Sequence, residues 1–462
     1  MRPGIDLAGK RVLVVGLARS GLASALLCAR HGANVTATDE LPEAKLAETA
    51  QKLRAVSVML VLGGHPESIF AEQDLVIVSP GVPANLPQLE LARAQGIHVW
   101  SEIELAWHLL HGPLVAITGS NGKTTTTALV GHILESAHVP VLVGGNIGTP
   151  LVSLVDSSSD STVTVAEVSS FQLETIHAFR PDIAVMLNLT PDHLDRHVSF
   201  EEYARAKGRL FENQVESDAA VLNADDQRVA QLVPSRPQVF WFSRNKRVMA
   251  GAFLRGDQII FRRDGVETVL LHRGEIPLRG EHNLENVMAA CIAARLAGVE
   301  PEAIAAGVRS FAGVEHRLEF VAEIGGVSFF NDSKATNVDA TLKALEAFSN
   351  PLLVILGGKD KGGDFTALQE PLRRHARFVL LIGAAADKIA QQLGNALPVE
   401  RAGTLERAVR VAFEHAQPGD TVLLAPACAS FDQFENFEHR GRVFKQAVER
   451  LEHESAAGAG KG

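Results

Sequence analysis

Two kinds of segment alternate along almost the whole chain. Short apolar runs such as Arg11–Val15, Leu75–Val78, Leu114–Ile117 and Leu352–Leu356 read as strands buried on both faces. Between them lie longer stretches with apolar residues at helical spacing, among them Leu22–His31 and Thr125–Leu134. Repeated strand–helix–strand order predicts an α/β protein with parallel sheets. The predicted strands gather in three blocks. The first holds Arg11–Val15, Asn34–Thr38 and Leu75–Val78 and closes near Gly112-Pro113. The second starts at Leu114 and includes Thr162–Val168 and Ile183–Leu187. The third begins near Gly313 and includes Val327–Phe330, Leu352–Leu356, Phe378–Ile382 and Thr421–Leu424. The expected domains are therefore 1–112, 113–312 and 313–453, with a small polar tail, 454–462, expected to be disordered.

Length agrees with this division, since 462 residues suggest about three domains of roughly 150 each. Charge narrows the partners. With 44 basic against 54 acidic residues the net charge is -10, which argues against a general nucleic-acid or membrane surface. It leaves room for an anionic small ligand held by local positive groups. Cys28, Cys291 and Cys428 are odd in number and far apart, as in a reducing compartment. No signal-peptide core is seen at the start, and no apolar run approaches the ~18 residues of a membrane helix. The expectation is a cytoplasmic protein.

The richest chemistry sits at Gly119-Ser120-Asn121-Gly122-Lys123-Thr124. A predicted strand precedes it and a predicted helix follows, the layout of a phosphate cradle. Glycines let amide groups close on phosphate oxygens, Lys123 adds positive charge, and the Thr124 hydroxyl suits Mg²⁺. The usual pattern carries an earlier glycine where Thr118 stands, so this is a short form of the loop.

In the first block Gly16 and Gly21 bracket a βα turn, with Asp39 about 20 residues on, as in a dinucleotide fingerprint. Ala18 replaces the middle glycine. The turn stays open to a nicotinamide site, to another nucleotide-like group, or to a plain structural turn. In the second block Glu167 falls near one strand end, and Thr190-Pro191-Asp192-His193-Leu194-Asp195 follows the next. A carboxylate and an imidazole at neighbouring strand ends could serve a metal, although Mg²⁺ prefers oxygen. Ser199 and Glu202 open a helix expected to run from Phe200 to about Asn213. Lys207 falls in the middle of its apolar stripe of Phe200, Tyr203, Ala204, Leu210 and Phe211. Such a lysine either snorkels or points into a site, where conversion to a carbamate would make it an oxygen ligand. In the third block, loops 331–337, 357–364 and 426–434 each follow a predicted strand and combine lysines with hydroxyls, a set suited to an acidic small molecule.

Taken together, Gly119–Thr124, Glu167-Val168-Ser169-Ser170-Phe171-Gln172-Leu173, Thr190–Arg196, Gly280-Glu281-His282-Asn283, His316-Arg317 and Asn331-Asp332-Ser333-Lys334-Ala335-Thr336-Asn337 resemble the Mur ligases over nearly the whole chain. The run Leu424–Phe434 is similar to the branch of that family that adds D-glutamate. The resemblance implies a Rossmann-like N-terminal domain for a UDP-linked substrate, a central P-loop ATPase-type α/β domain, and a Rossmann-like C-terminal domain. The implied substrates are UDP-N-acetylmuramoyl-L-alanine, D-glutamate and ATP, with two Mg²⁺ ions and no nucleic acid or membrane, in a monomer. A related Mur or folylpolyglutamate-type ligase with another acceptor is the alternative. Residue by residue, the resemblance gives Gly119, Ser120, Asn121, Gly122, Lys123, Thr124, Thr125, Asn283, Arg317 and Asp332 to ATP. It gives Thr124, Glu167, His193 and a carbamylated Lys207 to the metals, and Lys123, His193 and Lys207 to catalysis. Gly16, Leu17, Asp39, Ser79, Pro80, Gly81, Asn146, Ser169 and Gln172 would hold the UDP substrate. Thr336, Lys361, Ser430 and Phe437 would hold the amino acid, with Lys359 as the rival of Lys361.

Overall fold

The computed structural model describes residues 4–146, 148–193, 196–278, 280–394 and 397–459. Its chain forms two compact units. One comprises Met1–Leu189, Val198–Glu275 and Glu285–Ser310, the other Thr190–His197, Ile276–Leu284 and Phe311–Gly462.

The first unit contains two sheets. Strands β1 (Arg11–Val15), β2 (Asn34–Asp39), β3 (Met59–Leu62), β4 (Leu75–Val78) and β5 (His98–Ser101) form a parallel sheet in the order β3-β2-β1-β4-β5. Strand order reverses between β1 and β4, and open sheets of this kind bind ligands beyond the strand ends at that point. The turn after β1 stays tight because Gly21 has no side chain; a Cβ there would lie 1.8 Å from the Gly16 carbonyl.

The second sheet has nine strands. They are β6 (Leu114–Thr118), β7 (Val141–Gly145), β8 (Val163–Glu167), β9 (Ile183–Met186), β10 (Ala219–Asn223), β11 (Gln238–Ser243), β12 (Gly251–Arg255), β13 (Gln258–Arg263) and β14 (Val266–His272). Their order is β14-β13-β12-β11-β10-β9-β6-β8-β7. Strand β6 is buried at every position and lies between β8 and β9. All pairs are parallel except the edge ribbon of β12, β13 and β14. That ribbon goes beyond the sequence expectation. Its signal was the pair Asp264-Gly265, both at positive φ (53° and 80°), the backbone a tight hairpin requires.

The second unit carries a six-stranded sheet of β15 (Glu319–Ile324), β16 (Val327–Asn331), β17 (Leu352–Gly357), β18 (Ala376–Ile382), β19 (Val399–Gly403) and β20 (Thr421–Leu424). Its order is β15-β16-β20-β17-β18-β19, with only the β15–β16 pair antiparallel. Apolar clusters cover both faces.

Three expectations need correction. The helix from Phe200 ends at Gly208 and tightens into a 3₁₀ turn over Arg209–Phe211, short of Asn213. The helix after the phosphate loop starts at Lys123, two residues before Thr125. The tail expected to be disordered from 454 is instead helical through Ala459, in a closing helix Phe437–Ala459; residues 460–462 lie outside the described ones. Among the described residues no helix is long and apolar enough to cross a membrane.

Candidate active site

The phosphate loop leaves β6 and enters the helix Lys123–Ser136 through Gly122, at φ 87°. A Cβ at Gly122 would come within 2.2 Å of Asn286 Oδ1, so only glycine fits both the backbone and the neighbour. Asn188 secures the other side of the loop. Its Oδ1 accepts from Asn121 N at 2.8 Å, its Nδ2 donates to Asn121 O at 3.0 Å, and its carbonyl accepts from Ser120 N at 2.9 Å. Ser120 Oγ meets the Tyr203 hydroxyl at 2.9 Å.

Two lysines converge on this loop. Lys123 Nζ donates to Gly119 O at 2.9 Å and Ser120 O at 2.8 Å. Lys207 Nζ donates to the same Gly119 O at 2.9 Å and to Thr118 Oγ1 at 3.3 Å, and lies 4.9 Å from the Tyr203 ring centroid. Lys207 is 2% exposed, so it does not snorkel to solvent. Its helix is set by Ser199, whose Oγ accepts from Glu202 N at 3.2 Å.

At the end of β8 the buried Glu167 carboxylate accepts from Thr124 Oγ1 at 2.8 Å and from Asn146 Nδ2 at 3.1 Å. The next turn carries a full capping box: Ser169 Oγ accepts from Gln172 N at 3.3 Å, and Gln172 Oε1 accepts from Ser169 N at 2.8 Å. Gln172 Nε2 then donates to Glu102 Oε1 at 2.6 Å. Glu102 belongs to the helix Glu102–Leu109 that follows β5, so this bond joins the two sheets. Burial pushes Glu102 up to about 7, against the opposing effect of its Gln172 and Val152 hydrogen bonds. Glu104, two residues on, is also buried, but three amides (His177, Ala178 and Phe179, each at 2.8 Å) donate to it. Burial acts on Glu104 too, yet those bonds and one from His108 outweigh it and lower its pKa.

At the reversal point of the first sheet, Asp39 is an organiser of backbone: Oδ2 accepts from Leu17 N at 2.7 Å and Oδ1 from Leu41 N at 2.8 Å. Ser79 Oγ donates to Gly16 O at 2.8 Å, and Pro80 and Gly81 continue at the open strand end. His65 Nδ1 lies 3.0 Å from Thr38 Oγ1 beside these residues, and burial lowers its pKa. Sequence reasoning missed His65; Gly63-Gly64-His65-Pro66 was the available turn signal.

The second unit holds the remaining candidates. Asp332 is buried, and burial lifts it to about 6 although Arg317 opposes the rise. Asp332 Oδ1 and Arg317 Nε are buried without a hydrogen-bond partner among the described residues. Asn283 is buried in the first turn of the helix Glu281–Leu296. Ser430 is buried, and Thr336 and Phe437 are partly exposed. Lys334 Nζ sits 5.2 Å from the Phe437 ring centroid. His193, at φ 56°, belongs to this unit and not to the one that brings Thr124, Glu167 and Lys207 together. Its motif partners Leu194 and Asp195 lie outside the described residues, as does Ile147 beside Asn146.

The two lysines of loop 357–364 differ in setting. Lys359 is exposed, and among the described residues only its backbone is tied, to Ala429. Lys361 is 23% exposed and pairs with Asp192 at 3.5 Å. Arg440, wholly buried, was not singled out from the sequence. It donates to Ser333 Oγ (3.0 Å), Ser333 O (2.8 Å), Cys428 O (3.1 Å) and Ala429 O (3.3 Å), tying two of the candidate loops together.

Three family models match successive stretches of the chain. "Mur ligase MurD-like, N-terminal domain" covers residues 10–101, "Mur ligase middle domain" 117–294, and "Mur ligase, glutamate ligase domain" 316–428. The chain belongs to the Mur ligase family. It is similar to the UDP-N-acetylmuramoylalanine–D-glutamate ligase of Solibacter usitatus, with 56% identity over 97% of this chain and 99% of the relative. The ligase of the same name from Acidobacterium capsulatum is 54% identical over 98% of each. A solved pseudomurein peptide ligase type C from Methanothermus fervidus shares the fold, with TM-score 0.61 at 19% identity over 96% of this chain and 100% of that one.

Proposed function

We propose that this chain is an ATP-dependent acid–amino-acid ligase that adds D-glutamate to UDP-N-acetylmuramoyl-L-alanine. It would act as a cytoplasmic monomer making peptidoglycan precursors, and so serve cell-wall synthesis, cell shape and division. The observation that carries the reading is the meeting of Thr124 and Glu167 beside Lys123 at the end of β6 and β8. A hydroxyl, a carboxylate and an ammonium around one glycine loop suit a nucleotide triphosphate and its metal. The acceptor and the amino acid rest on the full-length likeness to two ligases of that specificity.

Amide formation from a carboxylate and an amine is unfavourable in water, and ATP removes that obstacle. The alanyl carboxylate attacks the terminal phosphorus of ATP, giving an acyl phosphate and ADP. The D-glutamate amine then adds to the acyl carbon, and the tetrahedral intermediate expels phosphate and a proton as the amide forms. Lys123 offsets charge on the transferring group, and loop amides hold its oxygens. The buried Asp332 and the half-buried Arg317 are assigned to ATP with Asn283; Asn146, Ser169 and Gln172 to the UDP substrate with Gly16, Leu17, Asp39 and Ser79–Gly81. Thr336, Lys361, Ser430 and Phe437 are assigned to D-glutamate, and the half-buried setting of Lys361 favours it over Lys359.

Thr124 and Glu167 fit Mg²⁺, because both present oxygen and already lie at hydrogen-bond distance. Mg²⁺ held there would neutralise phosphoryl charge, and the family resemblance also assigns His193 to the metals. An amine at Lys207 offers no oxygen to a metal; its carbamate does, and burial beside Gly119 would shelter it. The governing assay is phosphate release from ATP with UDP-N-acetylmuramoyl-L-alanine as the amino acid is varied. Dependence on D-glutamate supports the reading, and turnover with L-glutamate or diaminopimelate in its place would overturn the specificity.

A further inference from the structure

One carboxylate of this protein sits where a carboxylate substrate would be expected. Asp192 is 10% exposed at its side chain, and Lys361 Nζ lies 3.5 Å from its Oδ1. Asn337 Nδ2 donates to Asp192 Oδ2 at 3.0 Å. The orientation of the Asn337 amide is imposed by the fold. Asn337 is the N-cap of the helix Val338–Glu346, and its Oδ1 accepts from Ala340 N at 2.8 Å. Its Nδ2 donor must therefore face away from the helix. An ammonium on one oxygen and a fixed amide on the other form a carboxylate cradle. All three residues lie in the second unit, and Asn337 directly follows Thr336.

We propose that Lys361 and Asn337 form a subsite for one carboxylate of the amino-acid substrate, and that Asp192 is its internal occupant, displaced when the amino acid binds. The inference rests on the reading of Lys361 as an amino-acid-binding residue. Asp192 is then a competitor of the substrate and not its ligand, which fixes the sign of its mutation. Displacement also releases one anchor of the stretch Thr190–His193, so amino-acid binding alters the tether of His193. The Thr190 bond to Asp339, Oγ1 to Oδ2 at 3.2 Å, stays in place.

The test is the KM for D-glutamate in the full-length enzyme at saturating ATP and UDP-N-acetylmuramoyl-L-alanine. Asp192→Asn keeps shape and an acceptor for Asn337 but removes the negative charge that faces Lys361. It should lower the KM by about two- to five-fold, the scale of one partly exposed ion pair. An unchanged or higher KM would overturn the inference, since Asp192 would then be structural or would contact the substrate amine. Should Asp192→Asn turn over too slowly, the rise in melting temperature produced by D-glutamate reads the same affinity, with the larger rise expected in the variant. Asn337→Asp retains a good N-cap but replaces the donor by a negative acceptor, and should raise the KM; no change would remove Asn337 from the cradle. Lys361→Gln separates the two levels of argument. If it leaves the KM for D-glutamate untouched, the assignment of the amino-acid site itself fails, whatever Asp192→Asn does.

Discussion

Replacing Glu102 by Gln should make the first unit more stable at alkaline pH and change little at acid pH. Glu102 is buried, and its pKa rises from 4.5 to about 7. The native state therefore keeps a proton that the unfolded chain has already lost between those two values. Stability from this group is full below pH 4.5 and drains away as pH rises through 7. At about 1.4 kcal/mol per pH unit, the whole interval corresponds to about 3 kcal/mol, most of which falls between pH 5 and pH 8. Glutamine has no proton to lose and can still accept the bond from Gln172. The stability of Glu102→Gln relative to the parent should thus improve by about 2–3 kcal/mol from pH 5 to pH 8. Urea unfolding followed by tryptophan fluorescence is well placed to measure it, because all three tryptophans (Trp100, Trp107 and Trp241) lie in the first unit. Other titrating groups are common to both proteins and cancel in the difference. A relative stability that is flat across this range would show that Glu102 is ionised in the folded protein, and would refute the reasoning from burial.

Three further outcomes are expected. Gly122→Ala forces a side chain into Asn286 at positive φ and should cost about 1–3 kcal/mol of stability, measured by denaturation, together with loss of nucleotide affinity. Arg440→Met removes four hydrogen bonds from a buried guanidinium and should destabilise the second unit by about 3 kcal/mol or more, read as earlier loss of helicity on heating and faster amide exchange in loops 331–337 and 426–434. Lys207→Ala should abolish turnover while the fold is retained, with partial rescue by bicarbonate; near-normal activity without bicarbonate would sink the metal role, and a carbamate carbon signal in the parent protein under labelled bicarbonate would support it.

Much of this molecule was legible in its sequence because parallel strands are continuous apolar runs, and a strand end followed by glycine or a polar pair marks where ligands gather. Strand ends at Val15, Val78 and Leu424 needed no correction. The edge ribbon β12–β14 escaped because its half-exposed strands alternate instead of running apolar, so its mark is the Asp264-Gly265 turn. Lys207 was visible as a cation inside an apolar stripe. Its partner was not, since the Gly119 carbonyl is backbone and lies 88 residues away. Glu102 and Arg440 escaped for a related reason. A charged residue on an ordinary amphipathic helix reads as surface, and only tertiary packing reveals that it is enclosed. The opposite pKa shifts of Glu102 and Glu104 are likewise invisible in the sequence, because they depend on which of the two meets the amides of residues 177–179.

The Arg440 clasp has a consequence for the order of biosynthesis. Ser333, Cys428 and Ala429 emerge from the ribosome before the residue that ties them together. Residues of the phosphate loop come more than 300 positions earlier than Arg440, by their place in the sequence, and can be packed while the rest is still being made. On a growing chain, the nucleotide cradle would therefore be assembled first, and the loops assigned to the amino acid would be locked only when the closing helix arrives. A nascent chain halted before Arg440 would hold its phosphate loop formed but leave loops 331–337 and 426–434 unclasped.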